Sequence, residues 1–103
     1  MFKAMILLTR REDLSHEEFV QWWTVEHREL AARLPDVRRI VFNVVDDEGN
    51  PGVDGVAELW FDTREAFEAA YATPVGQKTA ADSMAHVTSR VRLLVQEHAI
   101  LGS

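Results

Sequence analysis

The sequence predicts an α+β, ferredoxin-like fold: a four-stranded antiparallel sheet in the order β-α-β-β-α-β, with its helices on one face. Three observations carry this expectation. Apolar, β-branched runs recur at 2–9, 37–45, 53–61 and in the C-terminal stretch, the pattern of strands. Helix-start signals precede two amphipathic stretches, and Gly, Asn and Pro punctuate the remainder.

The elements follow in order. Residues 2–9 form a continuous apolar run, Lys3 apart, which suits a strand buried on both faces. In "REDLSHEEF", Ser15 followed by Glu18 is a capping box, so a helix starts near His16. Phe19, Trp22/Trp23, Leu30 and Leu34 recur at the spacing of one helix face, and His27 shares that stripe. Pro35 stops the helix and Asp36 begins a turn. "VRRIVFNVV" is a second strand, the loop "DDEGNPG" follows, and "VDGVAELWF" is a third strand paired antiparallel to the second. The glycine of "DGVA" reads as turn chemistry. Asp62 with Glu65 marks the next helix, "TREAFEAAYA", which buries Ala66, Phe67, Ala70 and Tyr71. "TPVGQ" breaks it, "KTAADSMAHV" reads as a short further helix, and 87–101 closes the chain as a fourth strand.

Composition bounds the function. The chain has 103 residues, 47% hydrophobic and 27% charged, the balance of one ordinary globular domain. A net charge of −6 with scattered Lys and Arg argues against nucleic acid. With no cysteine, disulfides, thiolate nucleophiles and Cys-based metal sites are excluded. The N-terminal apolar run is too short for a signal peptide or a membrane span, so a cytoplasmic protein with no membrane partner is expected. Strands one and three are apolar on both faces: Ala4, Ile6 and Leu8 against Met5 and Leu7, then Ala57, Leu59 and Phe61 against Val56 and Trp60. One helix layer covers one face only, so a homodimer packing sheet against sheet is expected.

The candidate site residues admit two readings each. His27 either packs as a polar core residue or works as a desolvated base, neutral near pH 7; the residues alone leave both open. Trp22 and Trp23 read as core, with Trp23 a possible pocket wall. Glu58 is an acid on an otherwise apolar strand face. It is either paired with Arg38 or Arg39 or placed in a cavity. Asp82 and His86 lie four apart on one helix face; two ligands do not make a metal site, and a surface pair is the plain alternative. A lid formed by 74–86 would bring Asp82 or His86 to His27. His16 reads as an exposed first-turn residue and His98 as a strand end. No phosphate loop or nucleotide fingerprint is present.

"FVQWWTVEHRELAARLP", "DGVAELWFDTREAF" and "AADSMAHV" together resemble the EthD-like family of the dimeric α/β-barrel superfamily, over about residues 1–97. The resemblance rests on Phe19, Trp23, His27, Leu30 and Pro35, backed by Glu58, Trp60 and Phe61. It implies a two-fold dimer with a pocket between sheet and helices in each subunit. Its understood members are cofactor-independent isomerases of methylated muconolactones. More distant relatives include polyketide cyclases, quinone-forming monooxygenases and haem-degrading enzymes. A histidine matching His27 lines the pocket in the lactone branch, but the tyrosine that faces the same cavity is replaced here by Ile40. The expectation is a cofactor-independent enzyme performing isomerisation, cyclisation or dehydration on a small apolar oxygenated molecule. His27 is the base, Glu58, Asp82 or His86 assist, and Trp23, Ile40, Phe42 and Trp60 shape the pocket. No metal and no cofactor are expected. The alternatives are a non-catalytic small-molecule-binding module and, last, a quinone-forming or haem-handling monooxygenase.

Overall fold

Strand β1 (Phe2–Arg10) lies inside the sheet in a computed structural model that describes residues 1–46 and 52–102. It is flanked by β3 (Gly55–Phe61) and β4 (Val87–Gln96), and β2 (Arg39–Val44) pairs with β3 at the other edge. All three pairings are antiparallel, giving the order β2-β3-β1-β4. The continuous apolar run of β1 is explained by this inner position. Of the expected 46–52 loop, residues 47–51 lie outside the described residues.

Side-chain alternation divides the sheet into two faces. Ala4, Ile6, Leu8, Ala57, Leu59 and Phe61 point into the helix layer and are all buried. Met5, opposite Glu58 and Leu93, lies on the other face, as do Leu7, Val91 and Trp60. No helix among the described residues covers this second face, and Val91 and Leu93 remain 46% and 43% exposed.

Helix α1 (16–31) begins at the expected capping box. Ser15 Oγ accepts the Glu18 amide N–H at 3.0 Å, while Glu18 Oε1 accepts the Ser15 amide N–H at 2.9 Å. Its middle is not α-helical. His16–Gln21 and Arg28–Ala31 are α, but Trp22–His27 takes the wider π form. An α-helix turns about 100° per residue, which would set residues five apart about 140° out of line. The π turn bonds i to i+5 instead and brings Trp22 and His27 onto one face. Trp22, Trp23 and His27 are therefore all buried together.

Helix α2 (Arg64–Ala72) is capped by Thr63, not by Asp62: Thr63 Oγ1 accepts the Ala66 amide N–H at 3.1 Å. Asp62 is drawn away to Arg38, 2.7 Å distant. The expected break at 73–77 is a sharp corner. Thr73 Oγ1 donates to the Ala70 carbonyl at 2.6 Å and accepts the Gly76 amide N–H at 3.1 Å, and Pro74 opens helix α3 (Pro74–His86). The final helix is thus longer than the 78–87 expected. A Cβ at Gly76 would strike the Ala70 carbonyl oxygen, so the small residue lets α3 fold back against α2. Strand β4 ends at Gln96, short of residue 101, which leaves His98 beyond the sheet.

Gly55 has a packing role rather than a turn role. A Cβ there would sit 2.5 Å from the Trp23 ring, so the missing side chain is the seat of that indole. His16 is also less exposed than expected: its Nδ1 lies 2.8 Å from Oδ1 of buried Asp54, which Arg10 approaches to 2.6 Å.

Candidate functional site

The site lies between the helix layer and the sheet, where the π turn of α1 meets α3. His27 is 5% exposed. Its Nδ1 is 2.8 Å from Asp82 Oδ2, and the same carboxylate oxygen accepts the Trp22 indole N–H at 3.1 Å. A carboxylate accepts hydrogen bonds only, so Nδ1 carries the proton and Nε2 holds the lone pair. Ser83, the next residue along α3, brings its Oγ to 3.3 Å from Nε2. Burial pushes the His27 pKa down; Asp82 opposes this, while Arg90 and His86 add to it. The outcome is a neutral imidazole whose tautomer and ring orientation are fixed by Asp82.

A cavity of about 20 Å³, room for one water, touches His27, Ser83, Trp23, Phe42, Tyr71 and Arg90. A groove of about 360 Å³ runs beside it between α1 and β2, lined by Thr24, Arg28, Ala32 and Ile40. Ala31 and Phe42 line both spaces, so they form the partition. Phe42 is held by a parallel stack on Trp23, with ring centroids 4.3 Å apart and planes 2° apart. The groove has the volume of a ligand site, and the cavity behind it has the titratable chemistry.

The expected site residues divide cleanly. His27, Asp82, Trp23 and Phe42 come together. Asp82 is a partner of His27 as well as of His86, whose Nδ1 lies 3.6 Å from its Oδ1, because α3 packs along α1 across residues 74–86. His86 stands just outside, stacked on Trp22 at 4.2 Å, with Nδ1 donating to the Asp82 backbone carbonyl at 2.8 Å. Ile40 lines the groove and not the cavity. Glu58 and Trp60 are on the opposite face of the sheet from His27. Glu58 pairs neither with Arg38 nor with Arg39: it meets Lys3 at 2.5 Å and accepts from Asn43 at 2.9 Å, and these contacts hold its pKa down. Lys3 and Arg39 both lie over the Trp60 ring, at 4.8 and 4.7 Å from its centroid. The strand register sets this outcome, since Glu58 and Trp60 share the parity of Met5 and Lys3.

Ser83 and Arg90 reach the site without a signal of their own in the sequence. Ser83 is one small polar residue in a helix, and Arg90 alternates with apolar neighbours on an edge strand. Only the pairing of Arg90 with Leu8 turns it toward the helices. Tyr71, which the helix pattern placed in the core, sits against Arg90, whose guanidinium is 5.9 Å from the ring centroid. Among the described residues, no three His, Cys, Asp or Glu side chains gather as a metal site. No helix among them is long and apolar enough to cross a membrane.

A buried histidine on the first helix, fixed from the last, belongs to a chain that the EthD domain model matches over residues 11–89. The chain belongs to the EthD family. This EthD domain superposes on an EthD family protein from Bacillus halodurans with a TM-score of 0.82 and 20% identity, over 95% of this chain and 99% of that one. It matches a dimeric ferredoxin-like protein of unknown function from Bacteroides fragilis with a TM-score of 0.73 and 16% identity, covering 93% and 95%. A mutant of SnoaB, a cofactor-independent oxygenase from Streptomyces nogalater, matches at 0.75 and 19% identity, covering 99% and 97%. At these identities the likeness is one of fold. No curated protein matches the sequence.

Proposed function

We propose that this EthD domain is a cofactor-independent enzyme that moves protons on a small, apolar, oxygenated molecule such as a lactone, quinone or polyketide-like aromatic. The reaction class is isomerisation, cyclisation or dehydration. One observation supports this above the others: His27 is buried, neutral and oriented by Asp82, with Nε2 free of a proton beside a cavity. Such a group takes a proton from an acidic C–H or O–H, and the Asp82 carboxylate stabilises the imidazolium that forms. The Trp22 indole keeps that carboxylate in place. The groove between α1 and β2 admits the apolar body of the substrate, and movement of Phe42 joins groove to cavity.

A quinone-forming oxygenation is the second reading. It begins with the same proton removal, from a phenol or hydroquinone, and the fold likeness to a cofactor-independent oxygenase supports it.

The active form is a homodimer. Its support is the open sheet face, where Val91 and Leu93 stand exposed beside Met5 and Leu7 with no helix of the described residues above them. Two fold neighbours are described as dimeric.

The test is hydrogen–deuterium exchange, followed by NMR, at the acidic C–H of 1,3-diketones and methylated butenolides in D₂O. The expected result is protein-catalysed exchange that His27→Gln abolishes. Exchange that survives His27→Gln removes the base. A groove that binds these compounds with no exchange makes the chain a binding module.

A further inference from the structure

The proton acceptor accounts for one side of the cavity and leaves the other unexplained. Two residues lining the same cavity carry buried N–H donors with no acceptor. One is Nε1 of Trp23, a residue with no exposed surface; the other is Nε of Arg90. A buried donor left unmade costs about 1–3 kcal/mol, more when it is charged. Two in one small space is therefore a costly arrangement for a purely structural core.

Arg90 is unusual in a second respect. The polar groups around it are Tyr71 on α2, His27 on α1, Ser83 on α3 and Arg92 on its own strand. Asp82, the carboxylate beside His27, is committed to His27, Trp22 and His86. No described carboxylate forms an ion pair with the Arg90 guanidinium. Its guanidinium donates to the Tyr71 hydroxyl and lies near the Tyr71 ring, the second cation Arg92 and the neutral imidazole, which leaves Nε–H without an acceptor. Elsewhere in the chain Arg10, Arg11, Arg38 and Arg64 each hold an Asp or Glu within 3 Å. A half-buried cation without a carboxylate partner, lining the same cavity as an indole whose N–H has no acceptor, makes a site for an anionic oxygen.

We propose that Arg90 and Trp23 form an oxyanion site facing His27, and that the substrate presents a phenolate or enolate oxygen to it. The inference rests on the proton-transfer reading and names its electrophilic half. His27 Nε2 takes the proton from the substrate O–H, or from the C–H beside a carbonyl. The electron pair of that bond stays on the substrate as phenolate or enolate oxygen, which accepts from Arg90 Nε–H and Trp23 Nε1–H. No oxidant or co-reactant is needed. The site thus selects molecules whose acidic group is a phenol or an enolisable carbonyl, over neutral apolar molecules of the same shape.

The experiment uses 4-nitrophenol, whose visible absorption reports its ionisation, and its methyl ether as the neutral counterpart, each titrated into the full chain. The expected result is preferential binding of the phenolate, with the apparent pKa of the probe lowered on the protein. Arg90→Gln should weaken phenolate binding about tenfold or more with binding of the methyl ether unchanged, and Trp23→Phe should weaken phenolate by a smaller factor that still exceeds its effect on the ether. Because Arg90→Gln removes a half-buried side chain, NMR of the arginine Nε–H signals in the wild-type chain gives a second reading. One such signal should move on adding phenolate and stay in place on adding the methyl ether. Equal binding of phenol and phenolate by the wild type, or no moving signal, overturns the oxyanion site. His27→Gln separates this proposal from the base. It should lose hydrogen–deuterium exchange and keep the phenolate preference, whereas exchange without phenolate preference sinks the oxyanion site alone.

Discussion

Nδ1 of His27 lies 2.8 Å from Oδ2 of Asp82, although fifty-five residues separate them in the chain. The contact joins the π turn of α1 to the middle of α3. It decides which imidazole nitrogen carries the proton, and so what the residue can do. Breaking it tests the site most directly. Asp82→Asn keeps the side-chain shape but lets the amide donate to Nδ1, which moves the proton to Nε2. Catalysed hydrogen–deuterium exchange should fall on the order of 100-fold, while far-UV circular dichroism stays that of the wild type.

The depressed pKa of His27 has a consequence for stability. Its folded pKa is below the unfolded value of 6.5, so in the window beneath 6.5 the unfolded chain binds more protons. The contribution is fully present above pH 6.5 and is lost as pH falls toward the folded pKa. Melting temperatures taken from pH 7.5 down to 5 should decline in the wild type. In His27→Gln the decline over the upper part of that range should be shallower. An identical pH profile for the two proteins would show that His27 is not held neutral by burial.

Gly55 and Trp23 form a fitted pair. A Cβ at Gly55 would lie 2.5 Å from the indole, so Gly55→Ala must displace the ring or the strand. Overpacking of this kind costs about 1–3 kcal/mol, measurable by urea unfolding. The displaced ring should also disturb the Phe42 stack, so groove ligands bind more weakly.

Phe42 separates the groove from the cavity. Phe42→Ala should merge the two into one larger space at a cost of about 2 kcal/mol, less than a fully buried phenylalanine because the ring is only half-buried. The variant should accept bulkier probes in calorimetric titration. Unchanged selectivity would mean that ligands reach His27 by another route.

The open face offers an independent test of assembly. Leu93→Glu places a charge on the exposed apolar face and should convert the proposed homodimer into a monomer by analytical ultracentrifugation. The His27–Asp82 pair is on the other side of the sheet. Its effect on the His27 ring signals in NMR should therefore be small.

Much of the fold was legible because it depends on local chemistry. The Ser15–Glu18 box started α1 at the expected residue, β-branched runs marked every strand, and two-sided apolar alternation in β1 and β3 exposed a face in need of a partner. His27 was legible as a candidate because a polar residue on a tryptophan stripe is costly to bury. What the sequence could not fix was register and helix pitch. The α period aligns His27 with Trp23, and only the π turn, favoured by tertiary packing, adds Trp22 to the same face. Glu58 and Trp60 were drawn toward the pocket by their chemistry, yet strand pairing puts them across the sheet with Lys3, Asn43 and Arg39. Asp82, Ser83 and Arg90 converge on His27 from α3 and β4, elements far from it in the chain. The sequence by itself therefore determined the elements, the apolar faces and the histidine, which are set by neighbours a few residues away. Only the tertiary structure decided the company that histidine keeps, because long-range packing aims each side chain and no local period encodes it.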